Sequence, residues 1–92
     1  MNGSALGLIE TRGLIGLIYA YDAMLKAANV EVATAVIKLD GGVVSGIIRG
    51  DVSSVRAAVE AGAEAAARCG ELHAAHVIPR PDPAVVAAFV GK

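Results

Sequence analysis

Two histidines, His73 and His76, are the first residues that suggest chemistry, because imidazoles bind zinc and carry protons near neutral pH. Both lie in the apolar run at 72–78, which is predicted to form a β-strand. Side chains three residues apart on a regular strand point to opposite faces, so these two cannot bind one metal ion. We therefore expect partly buried or interfacial histidines and no metal site.

Cys69 is the only cysteine, which excludes an internal disulfide and any site with several cysteine ligands. No His or Asp lies at a spacing that would activate it, and it falls on the apolar face of a predicted helix, near the end that opposes a thiolate. The acidic residues lie on different elements, and local spacing fixes no general acid and base pair. The sequence therefore predicts no enzyme and no cofactor. The acidic residues considered are Glu10, Asp22, Glu31, Asp51 and Glu71.

Gly41 and Gly42 form a glycine pair of the kind that can wrap a phosphate. They join two predicted strands, so no helix N-terminus follows to add its dipole. Asp40 directly before them supplies the Asp-Gly sequence that permits positive φ in a tight hairpin. We therefore predict a hairpin turn at this point.

The elements that must position these residues form one small domain. The chain has 92 residues, of which 55% are apolar and only three are aromatic. Its core must therefore be thin and depend on the close approach of Ala and Gly. A mean hydropathy of +0.61 indicates surplus apolar surface that a partner chain covers.

The net charge of −1 lacks the basic footprint of a protein that binds nucleic acid or a membrane surface. The predicted strands also lack the aromatic rings on which RNA bases stack. No apolar stretch reaches the roughly 18–20 residues that span a bilayer, and the N-terminal segment has no signal-peptide pattern. We expect a cytoplasmic protein with no nucleic-acid and no membrane partner.

Hydrophobic periodicity and glycine positions predict the order βαββαβ followed by a short C-terminal helix. This order indicates an α+β, ferredoxin-like fold with a four-stranded antiparallel sheet and both long helices on one face. The predicted strands lie at 5–10, 30–38, 43–49 and 72–78, the long helices at 14–29 and 52–69, and the last helix at 83–89.

Apolar spacing also predicts which helix faces meet the sheet. Tyr21 is expected to face the sheet and Tyr19 to lie at the surface. The predicted inner face of the first helix consists of Leu17, Ile18, Tyr21, Leu25 and Ala28. That of the second consists of Val52, Val55, Val59, Gly62, Ala66 and Cys69.

Four blocks carry a family resemblance: ALGLIETRGL at 5–14, DAMLKAANV at 22–30, IIRGDVSSVRAAVEAG at 47–62 and GELHAAHVIPRP at 70–81. Together they resemble the single-domain shell proteins of bacterial microcompartments. The resemblance implies one shell domain over 1–92, with its core at 5–81 and a C-terminal tail or helix at 82–92.

The resemblance further implies a flat homohexamer that tiles edge to edge with other hexamers and other shell proteins. Such a shell lies in the cytoplasm and surrounds encapsulated enzymes. Lys26 would lie at the hexamer edge with Asn29 and Arg80. From the residues alone, the preferred interpretation of Lys26 is a cation that complements the helix dipole, and Arg80 can be a solvated turn residue.

The loop between the second and third strands would line a central pore for passive diffusion of small polar metabolites. Its residues are Lys38, Leu39, Asp40, Gly41 and Gly42. The commoner family loop reads Lys-x-Gly-Ser-Gly, so Asp40 is a departure that would place up to six carboxylates at the axis. Lys38 can also pair with Asp40 and neutralise that ring. The segment at 30–38 is one residue longer than usual, which predicts a bulge.

An alternative function is an oligomeric, small-molecule-binding regulatory domain of the same ferredoxin-like fold. Fold alone does not separate the two functions. The joint presence of DAMLKAANV and HVIPRP favours the shell protein, because a ligand-binding regulator has no evident need of both.

Overall fold

The structure, a computed structural model, describes residues 5–90. Five strands, three α-helices and one short 3₁₀ turn follow one another along this part of the chain. In chain order they are β1 (Ala5–Arg12), α1 (Leu14–Ala27), β2 (Glu31–Val32), β3 (Ile37–Lys38), the 3₁₀ turn (Asp40–Gly42), β4 (Val43–Gly50), α2 (Val52–Cys69), β5 (Glu71–Ile78) and α3 (Pro83–Phe89).

The strands form one antiparallel sheet in the order β2, β4, β1, β5, and β3 also pairs with β4. Helices α1 and α2 cover one face, where Ile9, Leu17, Met24, Ile48 and Val55 are fully buried together. Helix α3 lies on the other face through a smaller apolar cluster. The predicted α+β fold, with its long helices together and a short C-terminal helix, is confirmed.

The single strand predicted at 30–38 is wrong in one respect, because it is interrupted in the structure. Val32 pairs with Ile48 and Ile37 pairs with Ser45, so four residues on this side face two on β4. The excess is two residues rather than the one-residue bulge predicted here, and Ala33 keeps this segment attached to β4 by donating a hydrogen bond to the Ile47 carbonyl at 2.8 Å.

A second bulge lies in β5 and undermines the argument made for the histidines. Glu10 pairs with Ala74 and Thr11 with Leu72, which leaves His73 without a partner in β1. Strict alternation therefore does not hold between His73 and His76, and both side chains are exposed rather than partly buried. Within residues 5–90, no group of three or more potential ligands is placed to bind a metal ion.

The predicted inner face of α1 is partly wrong. Ile18 and Leu25 are 55% and 46% exposed, and the buried residues are Gly16, Leu17, Ala20 and Met24. Apolar residues surround this helix on nearly every side, so their spacing alone does not select one face. Tyr21 is half-buried and Tyr19 is exposed, as predicted.

The predicted inner face of α2 is correct in its centre and wrong at its ends. Val55, Val59, Gly62 and Ala66 are buried, but Val52 is 41% exposed. Cys69 is a free, exposed thiol, because it lies in the last turn beyond the part of the helix that the sheet covers. Ala58 and Ala65 complete the buried face.

Asp51 fixes the beginning of α2 as its N-cap. Its carboxylate accepts hydrogen bonds from the Ser54 backbone N–H at 2.9 Å and from the hydroxyls of Ser53 and Ser54. These donors, the Ser54 N–H first, hold the pKa of Asp51 below its ordinary value.

No helix in the described part of the chain is long and apolar enough to cross a bilayer.

Glycines let the helices and the sheet approach closely. A Cβ on Gly46 would collide with the ring and hydroxyl of Tyr21. That hydroxyl is buried and has no hydrogen-bond partner within residues 5–90. Burial raises the pKa of Tyr21, and the nearby backbone of Ile47 offsets only part of this increase.

Gly62 brings α2 against α1, and its replacement by Ala tests how tight this contact is. A Cβ there would lie 2.6 Å from Met24 Cγ and 3.3 Å from the Ala20 carbonyl oxygen. We expect Gly62→Ala to lower the free energy of unfolding by about 1–3 kcal/mol through overpacking, despite the better helix propensity of Ala. Urea denaturation at fixed protein concentration measures the change.

Ala57→Gly is the matched control, because Ala57 is exposed on the same helix. It should cost only the propensity difference, about 1 kcal/mol. A Gly62→Ala protein as stable as the wild type would contradict the tight contact.

Candidate functional site

The loop that joins β3 to β4, residues 38–42, is a tight turn that is exposed along its whole length. The Leu39 N–H donates to the Val43 carbonyl at 2.8 Å and closes the turn. Gly41 and Gly42 have φ angles of 75° and 79°, in the left-handed region that favours glycine. The predicted turn with positive φ is therefore confirmed.

Residues outside the loop hold its two glycine carbonyls. The Gly13 N–H donates to the Gly42 carbonyl at 2.8 Å, and Arg12 Nη1 donates to the Gly41 carbonyl at 2.7 Å. Arg12 also forms an ion pair with Glu71, with 3.4 Å between Nε and Oε2. The end of β1, the beginning of β5 and the loop thus meet at one place.

Sequence reasoning missed Arg12 and placed the end of the first strand two residues early. The strand continues to Arg12, and its register places Arg12 opposite both Val43 and Glu71. The sequence does show an arginine beside a glycine at the end of a strand, Arg12 and Gly13. It does not show that Arg12 contacts Gly41, because the two residues lie 29 positions apart.

The loop offers two charged side chains, Lys38 and Asp40, and both are exposed. In the part of the chain that the structure describes, no ion pair within 4.0 Å joins them. Both glycine carbonyls accept hydrogen bonds from the same chain, and the exposed Asp40 carboxylate is the acidic side chain that the loop presents to solvent. Repeated around an axis, such a loop would form a ring of charged and polar groups.

The residues predicted for the hexamer edge, Lys26, Asn29 and Arg80, are all exposed. Lys26 lies in the last turn of α1 and forms an ion pair with Asp22 of the same helix, with 2.9 Å between Nζ and Oδ2. Asn29 follows the end of α1, and its φ angle is negative, like that of every non-glycine residue within residues 5–90. In this part of the chain, Arg80 forms no side-chain hydrogen bond with Lys26 or Asn29.

The loop and the edge residues lie at opposite ends of the sheet. The loop leads into Val43 at the start of β4, whereas the Asn29 carbonyl lies against Gly50 at its end. Ile78, two residues before Arg80, pairs with Leu6 at this same end. The seven residue steps of β4 separate the two ends by roughly 23 Å.

Helix α1 carries an apolar outer face that nothing within residues 5–90 covers. Its large apolar side chains are between 46% and 67% exposed. A continuous apolar surface of this kind is typical of a protein interface. The residues are Leu14, Ile15, Ile18, Tyr19 and Leu25.

The sheet face opposite α1 and α2 contains an apolar pocket of about 350 Å³ beneath α3. Its polar groups are the Glu10 carboxylate and the Ser45 hydroxyl, which donates to Glu10 Oε2 at 2.8 Å. The pocket was not predicted from the sequence. Apolar residues on both faces of the first strand could have indicated it. The apolar lining is Leu6, Leu8, Ile37, Leu39, Ile47, Ile78, Val85 and Phe89.

The family model of the BMC domain matches residues 5–81. The chain is 56% identical over 77 residues to the bacterial microcompartment shell protein EutM of Salmonella typhimurium, covering 84% of this chain and 79% of that protein. It is 52% identical over 81 residues to the shell protein PduA of Citrobacter freundii, covering 88% and 86%.

Similarity extends to a shell protein of another kind of compartment and to a solved structure. The chain is 51% identical over 80 residues to the carboxysome shell protein CsoS1A of Hydrogenovibrio crunogenus, covering 86% of this chain and 82% of that one. A crystal structure of a microcompartments protein from Desulfitobacterium hafniense superposes with a TM-score of 0.79 at 33% identity, over 91% of this chain. The present chain spans 45% of the length of that protein.

Proposed function

The chain belongs to the BMC domain family of bacterial microcompartment shell proteins, and from this premise we propose that it forms closed homohexamers that tile into the shell. Its role is structural, as in the shell proteins that it matches. The proposal adds the ring, its central pore and the contacts between rings. In it, residues 5–81 form the assembling domain and the segment at 82–92 is an appended tail.

The observation that carries the proposal is the separation of the loop from the edge residues. A subunit of a tiled ring needs one end at the axis and the other at the contact with the next ring. Residues 38–42 lie at one end of the sheet and Lys26, Asn29 and Arg80 at the other. The described chain is also flat, with principal extents of 31 × 27 × 17 Å.

Ring closure uses the apolar surface that the monomer leaves exposed. A cyclic interface is heterologous, so one side of each subunit meets a different side of the next. The outer face of α1 lies on the side of β4, and β5 ends the sheet on the opposite side. Six such contacts would cover the apolar residues of α1 and the unpaired strand edges.

In the ring, six copies of the loop surround the axis and form a pore for passive diffusion of small polar metabolites. Asp40 contributes a carboxylate from each subunit, and Lys38 does not neutralise it within its own chain. A ring of negative charge disfavours anions in a narrow opening. We propose that this pore admits anions less readily than a Gly-Ser-Gly loop would.

At the outer boundary, Lys26 and Arg80 would contact the neighbouring hexamer or another shell protein, with Asn29 beside them. In the single chain Lys26 pairs with Asp22, an exposed contact on the same helix that leaves the cation accessible to a neighbour. The assembled shell would lie in the cytoplasm and enclose its enzymes.

The native mass of the purified chain tests the ring directly. Six chains of 9.2 kDa form a particle of about 55 kDa, which native mass spectrometry or light scattering on a sizing column measures. We expect this mass together with larger aggregates that correspond to partial sheets. A stable monomer, dimer or trimer would remove the sixfold axis and the pore with it.

The charge of the pore is tested by Asp40→Ser and Asp40→Asn hexamers. We expect both to raise the ratio of anion to cation permeability about tenfold at low salt, because six carboxylates are removed. The difference should shrink at 1 M salt, where screening reaches about 3 Å. Conductance across planar bilayers that hold the hexamers measures the ratio, and equal values for wild type and Asp40→Asn would contradict an axial Asp40.

The outer contact is tested by Lys26→Ala. We expect the hexamer mass to stay unchanged while two-dimensional sheets become smaller, because ring closure and tiling use different residues. Electron microscopy of sheets grown at equal protein concentration measures their extent. Asp22→Ala is the matched control, because it removes the partner of Lys26 on the same helix but keeps the cation. Sheets of Lys26→Ala as large as those of the wild type would count against the assignment.

A further inference from the structure

We propose that Arg12 is the positioning residue of the pore loop, through its hydrogen bond to the Gly41 carbonyl and its ion pair with Glu71. The functional part of this inference rests on the proposed pore. The positioning itself is a property of the single chain, and it is testable whether or not a ring forms.

The loop has few contacts of its own. None of the residues of the 3₁₀ turn is buried, and a pair of glycines leaves the backbone unusually free to move. A Cβ on Gly42 would meet nothing within 4 Å, and the nearest atom to one on Gly41 would be Arg12 Nη1 at 4.0 Å. Of the described side chains, only that of Arg12 donates a hydrogen bond to the loop backbone.

Arg12 is itself held in place from two directions. Its backbone lies in β1, between Val43 of β4 and Glu71 of β5. Its guanidinium uses Nη1 for Gly41 and Nε for Glu71. A planar guanidinium can hold both partners at fixed angles, whereas a lysine ammonium at the same place is a single flexible point charge. The loop is therefore tied to the central strand of the sheet.

This contact also decides which groups the loop presents. With the Gly41 carbonyl turned to Arg12 and the Gly42 carbonyl to Gly13, each oxygen already uses one of its two lone pairs within the chain and is a weaker acceptor for a passing solute. Loss of Arg12 would release one carbonyl and remove one positive charge in every subunit. Both changes favour cations, so Arg12 acts on selectivity as well as on order.

Amide hydrogen exchange of the purified protein tests the positioning. The reporting amides are those of Leu39 and Gly13, which close the loop and attach it to the end of β1. We expect both to exchange about five- to tenfold faster in Arg12→Gln and Arg12→Lys, the loss expected for one hydrogen bond to a charged donor at the surface. Glu71→Gln should give a smaller increase in the same direction.

Arg56→Gln is the matched control, because Arg56 is an exposed arginine on α2, outside the loop contacts. It should leave both reporting amides unchanged, and the amides of Ile47 and Ile48 in β4 should be unchanged in every variant. Loop amides that exchange at the wild-type rate in Arg12→Gln would overturn the inference. An equal increase at Ile47 and Ile48 would also overturn it, because Arg12 would then stabilise the whole fold.

Conductance of hexamers in planar bilayers separates the two roles. Arg12→Lys keeps the charge and loosens the loop, so its ratio of anion to cation permeability should stay within about twofold of the wild type. Arg12→Gln should lower that ratio about tenfold at low salt. A ratio in Arg12→Gln equal to the wild type would overturn the effect on selectivity. Absence of any conductance would contradict the pore and leave the exchange result valid.

Discussion

The close approach of α1 to α2 is the constraint on which the rest of the molecule depends. Gly62 removes the side chain that would collide with Met24, and at the other end of the helix pair a Cβ on Gly70 would lie 3.0 Å from the Gly16 Cα. Because the two helices lie so near each other, both can rest on one small sheet and share a single core. The result is a flat body 17 Å thick in its shortest dimension. The large apolar side chains of α1 that are not buried between the helices lie exposed on its outer face.

Strands β1, β4 and β5 pair in one antiparallel ladder, and the flat body therefore has two distinct ends, one at each end of these strands. The glycine loop, with Arg12 and Glu71, lies at one end. The end of α1 and the residues after β5 lie at the other. Family membership assigns the chain to a shell, and this separation provides the geometry of a subunit that reaches from an axis to a boundary. The pocket beneath α3 extends between the two ends, from Leu39 of the loop to Ile78 near the end of β5.

Most of the fold was predictable because it follows from local signals. Alternating apolar residues, the Asp51 cap and the Asp-Gly turn each act within a few positions along the chain. The burial of α1 was only partly predictable, because the helix is apolar on nearly every side and the sheet chooses its inner face. The argument that His73 and His76 point to opposite faces failed, because the bulge in β5 leaves His73 unpaired and shifts the alternation of side chains along the strand. The contact of Arg12 was not predicted, because its partner Gly41 is distant in sequence and becomes a neighbour only when the sheet forms. The pore and edge positions came from family resemblance, and no local pattern identifies them.

The direction of the strands has a mechanical consequence. Hydrogen bonds of an antiparallel ladder lie perpendicular to the strands, and β1, β4 and β5 all run between the loop end and the Lys26 end. Tension between these two ends therefore loads the ladder in shear, so that many hydrogen bonds must break together rather than one after another. A subunit built in this way resists stretching in the plane of the sheet far better than peeling from its edge.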